Sequence, residues 1–320
     1  MRSATLAVFI AACAFTAALH AQQYPVKPIR IIVPFPPGGP NDVVGRLVAQ
    51  NVAPDLGQPV IVENRAGAGG SIGSTLVAKA APDGYTLLSG GMGNLVLNTI
   101  IQKAPYDTLR DFAPVVVVAS APNVLVVHPS LPAKNLKSFI ALARAHPGQL
   151  NYGSGGAGST PHLSGELFNA LARIRLVHVP YKGSGPAITD LLGGQIQLAF
   201  LGIPPVQPQI AAGRLRGLAV TSAQRVKSAS ELPTMIEAGV PGYEMSPWYG
   251  ILAPAGTPPA IVSRLHAAIA KTMGTPDTLQ KLTALGAEPE NATPQQYGER
   301  IKADIDKWTR IIKSAGITID

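Results

Sequence analysis

Cysteine is almost absent from this chain of 320 residues, with Cys13 the sole example. Cys13 lies inside an apolar stretch, residues 6–19, that follows Arg2 and runs into Leu19-His20-Ala21. A charged start, a short apolar run and a small-residue boundary form the pattern of a secretory signal over residues 1–21. A mature chain without that segment holds no thiol, which excludes disulfides and thiolate metal sites. Ile10-Ala11-Ala12-Cys13 also resembles a lipoprotein processing box, although apolar residues continue past it, so cleavage and lipidation both stay open. Beyond residue 21 no apolar run has the length needed to span a bilayer.

Charge and aromatics are scarce as well, at 14% and 5% of residues. Hydrophobic residues nevertheless make up 46%, with 33 Gly and 30 Pro, which describes a loop-rich globular chain with ample core rather than a disordered one. The formal charge of +8 is dispersed. Its densest neighbourhood, Arg214, Arg216, Arg225 and Lys227, has no interleaved aromatics, so nucleic acid is not an expected partner. The histidines are scattered and no pair has the spacing of metal ligands, so neither a metal nor a cofactor is expected.

Apolar runs alternate with helical patterns, which predicts an α/β fold. Strands are expected at 29–33, 60–63, 85–89, 149–152, 175–179, 197–201 and 215–221, and helices at 41–54, 71–80, 136–144, 161–171, 186–192 and 204–212. The runs 115–119 and 124–128 can join as one long strand passing between two lobes, and 249–253 can carry the chain back. Near the C-terminus Thr293 and Gln296 form a capping box with Pro294 at the first helical position. Tyr297, Ile301, Ile305, Trp308 and Ile312 then recur at helical spacing, which makes Trp308 a core residue. The expected division is a discontinuous first domain, 24–122 plus 246–320, and a second, 123–245, joined by two stiff crossings.

Glycine-rich turns punctuate this pattern, each between a strand and a helix. The first is Phe35-Pro36-Pro37-Gly38-Gly39-Pro40-Asn41-Asp42; its counterpart is Ser154-Gly155-Gly156-Ala157-Gly158-Ser159. Such a turn bares backbone N–H groups at a helix N-terminus, where the macrodipole favours an anion. Tyr181-Lys182-Gly183 is a third candidate, with a cation added, and Ser89-Gly90 a fourth. His162 either faces the ligand or caps and packs its helix. Phe35, Tyr181 and Trp248 serve equally as apolar walls or as core.

Two better-known motifs fail on context. Gly153 to Gly158 fits the dinucleotide spacing G-x-G-x-x-G, but no acid follows near residues 176–180 to hold a ribose. Gly70-Ser71 sits in a G-x-S-x-G match without a strand directly before the serine. An exported serine hydrolase using Ser71 stands as the rival reading; otherwise Ser71 caps the following helix.

Taken in order, several segments resemble the exported substrate-binding components of tripartite tricarboxylate transporters, the Bug family. They are Tyr24-Pro25-Val26-Lys27-Pro28, Pro37-Gly38-Gly39-Pro40-Asn41-Asp42, Val62-Glu63-Asn64-Arg65-Ala66-Gly67, Ala81-Pro82-Asp83-Gly84-Tyr85, Asn151-Tyr152-Gly153-Ser154-Gly155 and Val179-Pro180-Tyr181-Lys182-Gly183. The resemblance implies a two-lobed periplasmic binding protein, type II-like, a monomer that closes on a small carboxylate and presents it to a membrane permease. A signalling receptor as the partner stays open. It also implies one carboxylate at positions 35–42, held by backbone amides and water, with 154–159 at the ligand's other end. This chain departs from many relatives in placing Pro40-Asn41, not hydroxyl residues, after the paired glycines.

Overall fold

The computed structural model describes residues 24–102, 104–156, 158–181 and 183–315. The signal call and Cys13 lie outside the described residues. The strands form two sheets. The first has the order β2-β1-β3-β10-β4-β11, from β1 (Ile29–Val33), β2 (Val60–Asn64), β3 (Thr86–Gly91), β4 (Phe112–Ser120), β10 (Trp248–Pro254) and β11 (Glu288–Ala292). The second has the order β7-β6-β8-β5-β9, from β5 (Asn123–Val127), β6 (Asn151–Ser154), β7 (Val177–Pro180), β8 (Leu198–Gly202) and β9 (Arg216–Val220).

Each sheet contains the same parallel unit. In the first, β1 lies parallel between β2 and β3, with helices α1 (Pro40–Leu56) and α2 (Ser71–Ala78) in the connections. Two short helices follow, α3 (Asn98–Ile101) and α4 (Thr108–Asp111), and then α5 (Leu136–Ala145). In the second sheet β6 lies parallel between β7 and β8, with α6 (Thr160–Ala172) and α7 (Ser184–Leu192) in the connections. The turns β1–α1 and β6–α6 therefore hold equivalent places, at the carboxyl ends of the central parallel strands. That is where open α/β sheets bind ligands.

Side-chain pattern explains the layers. In α1, Val44, Leu47, Val48 and Val52 are buried against the sheet, and Gly57 in the left-handed region ends the helix. Val43, on the same sequence stripe, is only half-buried and turns toward the space between the sheets. Val115–Val118 and Val124–Val127 are wholly buried, as expected for strands covered on both faces.

The two apolar runs do not make one strand. β4 belongs to the first sheet and β5 to the second, with Ala121-Pro122 between them, because Pro122 has no N–H to continue a ladder. The returning crossing lies beside it, the Ala121 N–H donating to the Pro247 carbonyl at 2.8 Å.

The C-terminal region holds α9 (Pro259–Met273), α10 (Pro276–Ala284) and α11 (Pro294–Ala315), and α8 is Ile203–Ala211. α11 starts at the expected capping box: the Gln296 carboxamide oxygen accepts from the Thr293 N–H at 2.9 Å, and the Thr293 hydroxyl from the Gln296 N–H at 3.3 Å. Its Tyr297, Ile301, Trp308 and Ile312 are buried, in a core shared with Trp248 and with Phe168 and Tyr243 of the second sheet's layer. β11 carries Glu288, Pro289 and Glu290, and nothing in that composition reads as a strand. It is an edge strand, where proline and charge are tolerated.

Gly250 in β10 fits where no side chain does. A Cβ there would lie 2.4 Å from the Val116 carbonyl and 2.9 Å from the Tyr297 ring. The Gly250→Ala variant is expected to lose about 3 kcal/mol by overpacking, read as a lower urea midpoint with an unchanged slope.

Candidate functional site

Between the sheets lies a cavity of about 750 Å3. Its walls are largely turns. The β1–α1 turn contributes Phe35, Pro37, Gly38, Gly39, Pro40 and Asn41; the β6–α6 turn contributes Gly155 and Ser159; Gly183 precedes α7. These expected residues share one cavity, reached from opposite sheets.

The β1–α1 turn is held rigid from behind. Gly38, at φ +86°, donates its N–H to the Asp42 carboxylate at 2.9 Å. Arg46 donates to the same oxygen at 2.9 Å, and the Asn64 amide reaches the other oxygen at 2.8 Å and the Phe35 carbonyl at 3.1 Å. Asp42 is only 3% exposed and is absent from the cavity wall, so it staples the turn. Burial pushes its carboxyl up, but the hydrogen bonds from Arg46, Gly38 and Asn64, with the Arg46 charge, outweigh that and hold it below the usual carboxylate value. Its stabilisation is complete above the ordinary carboxylate range and is lost as pH falls through the lowered folded value.

With the turn fixed, donors are left over. Gly39 caps α1 through its backbone alone, and Pro40 fits the first helical position because it has no N–H to satisfy. Among the described residues nothing accepts from the N–H groups of Gly39, Asn41 and Asp42. The Asn41 side chain is 5% exposed, and its carboxamide oxygen has no partner. On the opposite side, nothing described accepts from the N–H groups of Gly155, Thr160 and Ser184. Ser184, Thr160 and Tyr249 also line the cavity, the Tyr249 hydroxyl without a partner among the described residues and held protonated by burial. Thr160 and Ser184 directly follow the two turns named in the sequence. Tyr249 had only its place at a crossing to mark it.

Other expected residues stand behind the wall. The Ser89 hydroxyl donates to the Asn41 carbonyl at 2.8 Å, tying β3 to the start of α1. Gly90 has no room for a Cβ between Leu95 and Leu252. Ser71 is the first helical residue of α2 rather than its cap, which is Gly70 at φ +94°. The Ser71 hydroxyl accepts from the Asn98 amide at 2.9 Å, and no histidine or acid hydrogen-bonds it among the described residues. A Cβ on Gly70 would meet Asn94 at 2.8 Å and Phe35 at 3.1 Å, so Gly70 makes room for the Phe35 ring.

Behind the β6–α6 turn sits a stacked pair of imidazoles, His162 and His178, with ring centroids 3.9 Å apart. His162 accepts the Gly158 N–H at 3.1 Å, and His178 pairs with the Ser154 hydroxyl at 2.7 Å. The Ser159 hydroxyl donates to the Gly156 carbonyl at 2.7 Å and accepts from the His162 N–H. Ser154, Gly156 and His162 thus shape the turn from outside the wall. Desolvation, helped by the neighbouring His162, pushes His178 down to about 4; desolvation also lowers His162, against the opposing pull of Glu166.

The Tyr181 hydroxyl donates to Asp190 at 2.7 Å, away from the wall; burial and that carboxylate push it up to about 12. Lys182 lies outside the described residues. Trp248 is core, its indole N–H donating to Asp304 at 2.7 Å. Leu285, Gly286 and Ala287 line the cavity from the first sheet's layer, and Ile203 and Pro204 from the second. Gly286 has no spare space there: a Cβ would lie 2.7 Å from Pro204 and 3.0 Å from Ile203. Nearby, Glu288 accepts the Lys227 N–H at 2.9 Å.

Two α/β layers, double crossings and an interlayer cavity ringed by helix N-termini define a periplasmic binding protein. The chain belongs to the tripartite tricarboxylate transporter family receptors, whose pattern it matches over residues 44–317. It is 40% identical to Protein BugT of Bordetella pertussis over 315 residues, 98% of this chain and 97% of that one. A solved structure described as R. palustris Rpa4515 with adipate is 40% identical at a TM-score of 0.82, covering 92% of this chain and 99% of the other. MatC (Rpa3494) from Rhodopseudomonas palustris with bound malate is 34% identical at a TM-score of 0.78, covering 90% and 100%. Among the described residues no helix is long and apolar enough to cross a membrane, and no group of three or more His, Cys, Asp or Glu is placed to hold a metal.

The imidazole pair sets a pH dependence. Between about pH 6.5 and about 4 the unfolded chain binds protons that the folded chain refuses, so stability falls as pH drops through that window. His178→Gln is expected to flatten the slope of unfolding free energy there, measured by urea titration at successive pH values; an unchanged slope refutes the assignment.

Proposed function

We propose that the chain is an exported solute-binding protein. It takes a small carboxylate between two lobes, without chemistry, and delivers it to the permease of a tripartite tricarboxylate-type transporter. The lobes are residues 24–122 with 246–320, and residues 123–245. One observation carries the reading: two equivalent strand–turn–helix junctions, one per sheet, bring unaccepted N–H groups to a common cavity. Phe35 and Gly38 to Asn41 form one contact set; Gly155, Ser159 and Gly183 belong to the other. The adipate and malate held by relatives are both carboxylates, which supports the ligand class.

The energetics suit capture and release. A hydrogen bond to a charged group contributes roughly 1.5–3 kcal/mol, so several donors support micromolar binding after the ordering cost. Closure follows from contacts that a ligand makes better with both lobes than with one. The working form is a monomer in the periplasm. The hydrolase reading loses support from the hydrogen bond that Asn98 gives Ser71.

A thermal-shift screen of mono-, di- and aromatic carboxylates tests the ligand class. At a hundredfold excess over Kd a bound acid adds about 2.7 kcal/mol of apparent stability. Acids are expected to raise Tm; a shift with neutral sugars alone refutes the reading. Gly39 and Gly155 have open space where a Cβ would stand, nothing lying closer than 3.8 and 3.6 Å. Gly39→Val and Gly155→Val are therefore expected to fold yet lose at least about tenfold in affinity by calorimetry, equivalent to ~1.4 kcal/mol.

A further inference from the structure

Among the described residues, side-chain hydrogen bonds join the two proposed lobes at two places. One is Lys307 with Glu244, at 3.1 Å, where α11 passes the returning crossing. The other lies one residue past the cavity-lining Ala287. There Glu288, the first residue of β11, reaches out of the first layer and accepts the Lys227 N–H of the second at 2.9 Å. The acceptor is a carboxylate, which makes the bond charge-assisted and roughly twice as strong as a neutral one.

Around this bond the layers meet along a small polar seam. Gly286 stands close against Ile203 and Pro204, and Gln207, Lys227 and Ser228 face Gln280, Thr283 and Ala284 across an open gap. The Ser228 hydroxyl oxygen is buried there without a partner among the described residues. A buried hydroxyl in that condition costs stability, and it regains water when the layers part. One group of the seam therefore favours contact between the layers and another opposes it. Leu285 to Ala287 on one side and Ile203 to Pro205 on the other also line the main cavity, so widening the cavity there parts the seam. Small polar contacts between domains of one chain permit such motion.

We infer that Glu288 and Ser228 set the resting balance between open and closed forms, and so tune ligand affinity from outside the cavity. Glu288 is the clasp and Ser228 the counterweight. The inference rests on the two-lobe binding reading above. When only the closed form binds well, the apparent affinity is the intrinsic one scaled by the fraction already closed. Neither side chain lines the main cavity, so a change at either moves the affinity of every ligand by one common factor and leaves their order unchanged.

Small-angle X-ray scattering of the ligand-free mature chain, with calorimetry of adipate, succinate, malate and benzoate, tests this. Glu288→Ala is expected to enlarge the radius of gyration and to weaken every acid that binds by a common factor of at least about threefold. Glu288→Gln, which keeps an acceptor but not its charge, is expected to fall between that variant and the parent chain. Adding Ser228→Ala to Glu288→Ala is expected to tighten binding of each acid relative to Glu288→Ala alone. An unchanged radius, a loss confined to some of the acids, or a double variant no tighter than the single one overturns the clasp while leaving carboxylate binding intact. If no acid binds, the carboxylate reading fails, and the radius of gyration alone decides whether Glu288 holds the layers together.

Discussion

The structure depends on a deficit: backbone N–H groups that the chain itself never satisfies. A helix always leaves its first donors without internal partners, and proteins usually cover them with a side-chain cap or water. Here α1 and α7 begin on glycine caps with no side chain to spend, and prolines stand near the starts of α1, α6 and α8. The remaining donors face a cavity, and an anion is what such a surface is short of. Around that deficit the rest is support. Asp42 pulls one turn taut, two neutral imidazoles fill the space beneath the other, and neither group reaches the cavity.

The second requirement is that the two turns face each other, and the crossings supply this. The Ala121–Pro247 hydrogen bond holds the two crossings side by side. Behind it α11 packs on β4 and also touches α6, so one helix spans the backs of both layers. Trp248 connects this buttress to the floor: its indole is fixed by Asp304 while the adjacent Tyr249 looks into the cavity. Burial raises the Asp304 carboxyl, against the indole N–H and nearby cations, which marks the seat as largely dry.

Much of the fold was legible because both sheets advertise themselves. Runs such as Ile29–Val33 and Leu198–Gly202 are too apolar to be anything but covered strands, and the glycine turns mark where each run gives way to a helix. The equivalence of the β1–α1 and β6–α6 turns was foreseeable from their parallel placement in the chain. β11 was hidden, because its residues are those of an edge tolerated by a neighbour rather than a strand favoured by its own composition. Within the site, sequence found the turns but could not tell front from back. Ser89, Ser154 and His162 neighbour the glycines along the chain yet point away from the cavity, a matter of side-chain direction that spacing does not encode. The wall residues Leu282, Leu285 and Ile203 were missed for another reason. They reach the cavity by long-range packing and look like ordinary core until the two layers are set together.

Gly286, pressed against Ile203 and Pro204, carries a consequence for timing. With that rim already in contact, the doorway is partly shut before any guest arrives. On the binding role proposed above, a solute would enter only while Gly286 stands clear of Ile203 and Pro204, so the rate at which that seam parts would set the pace of entry.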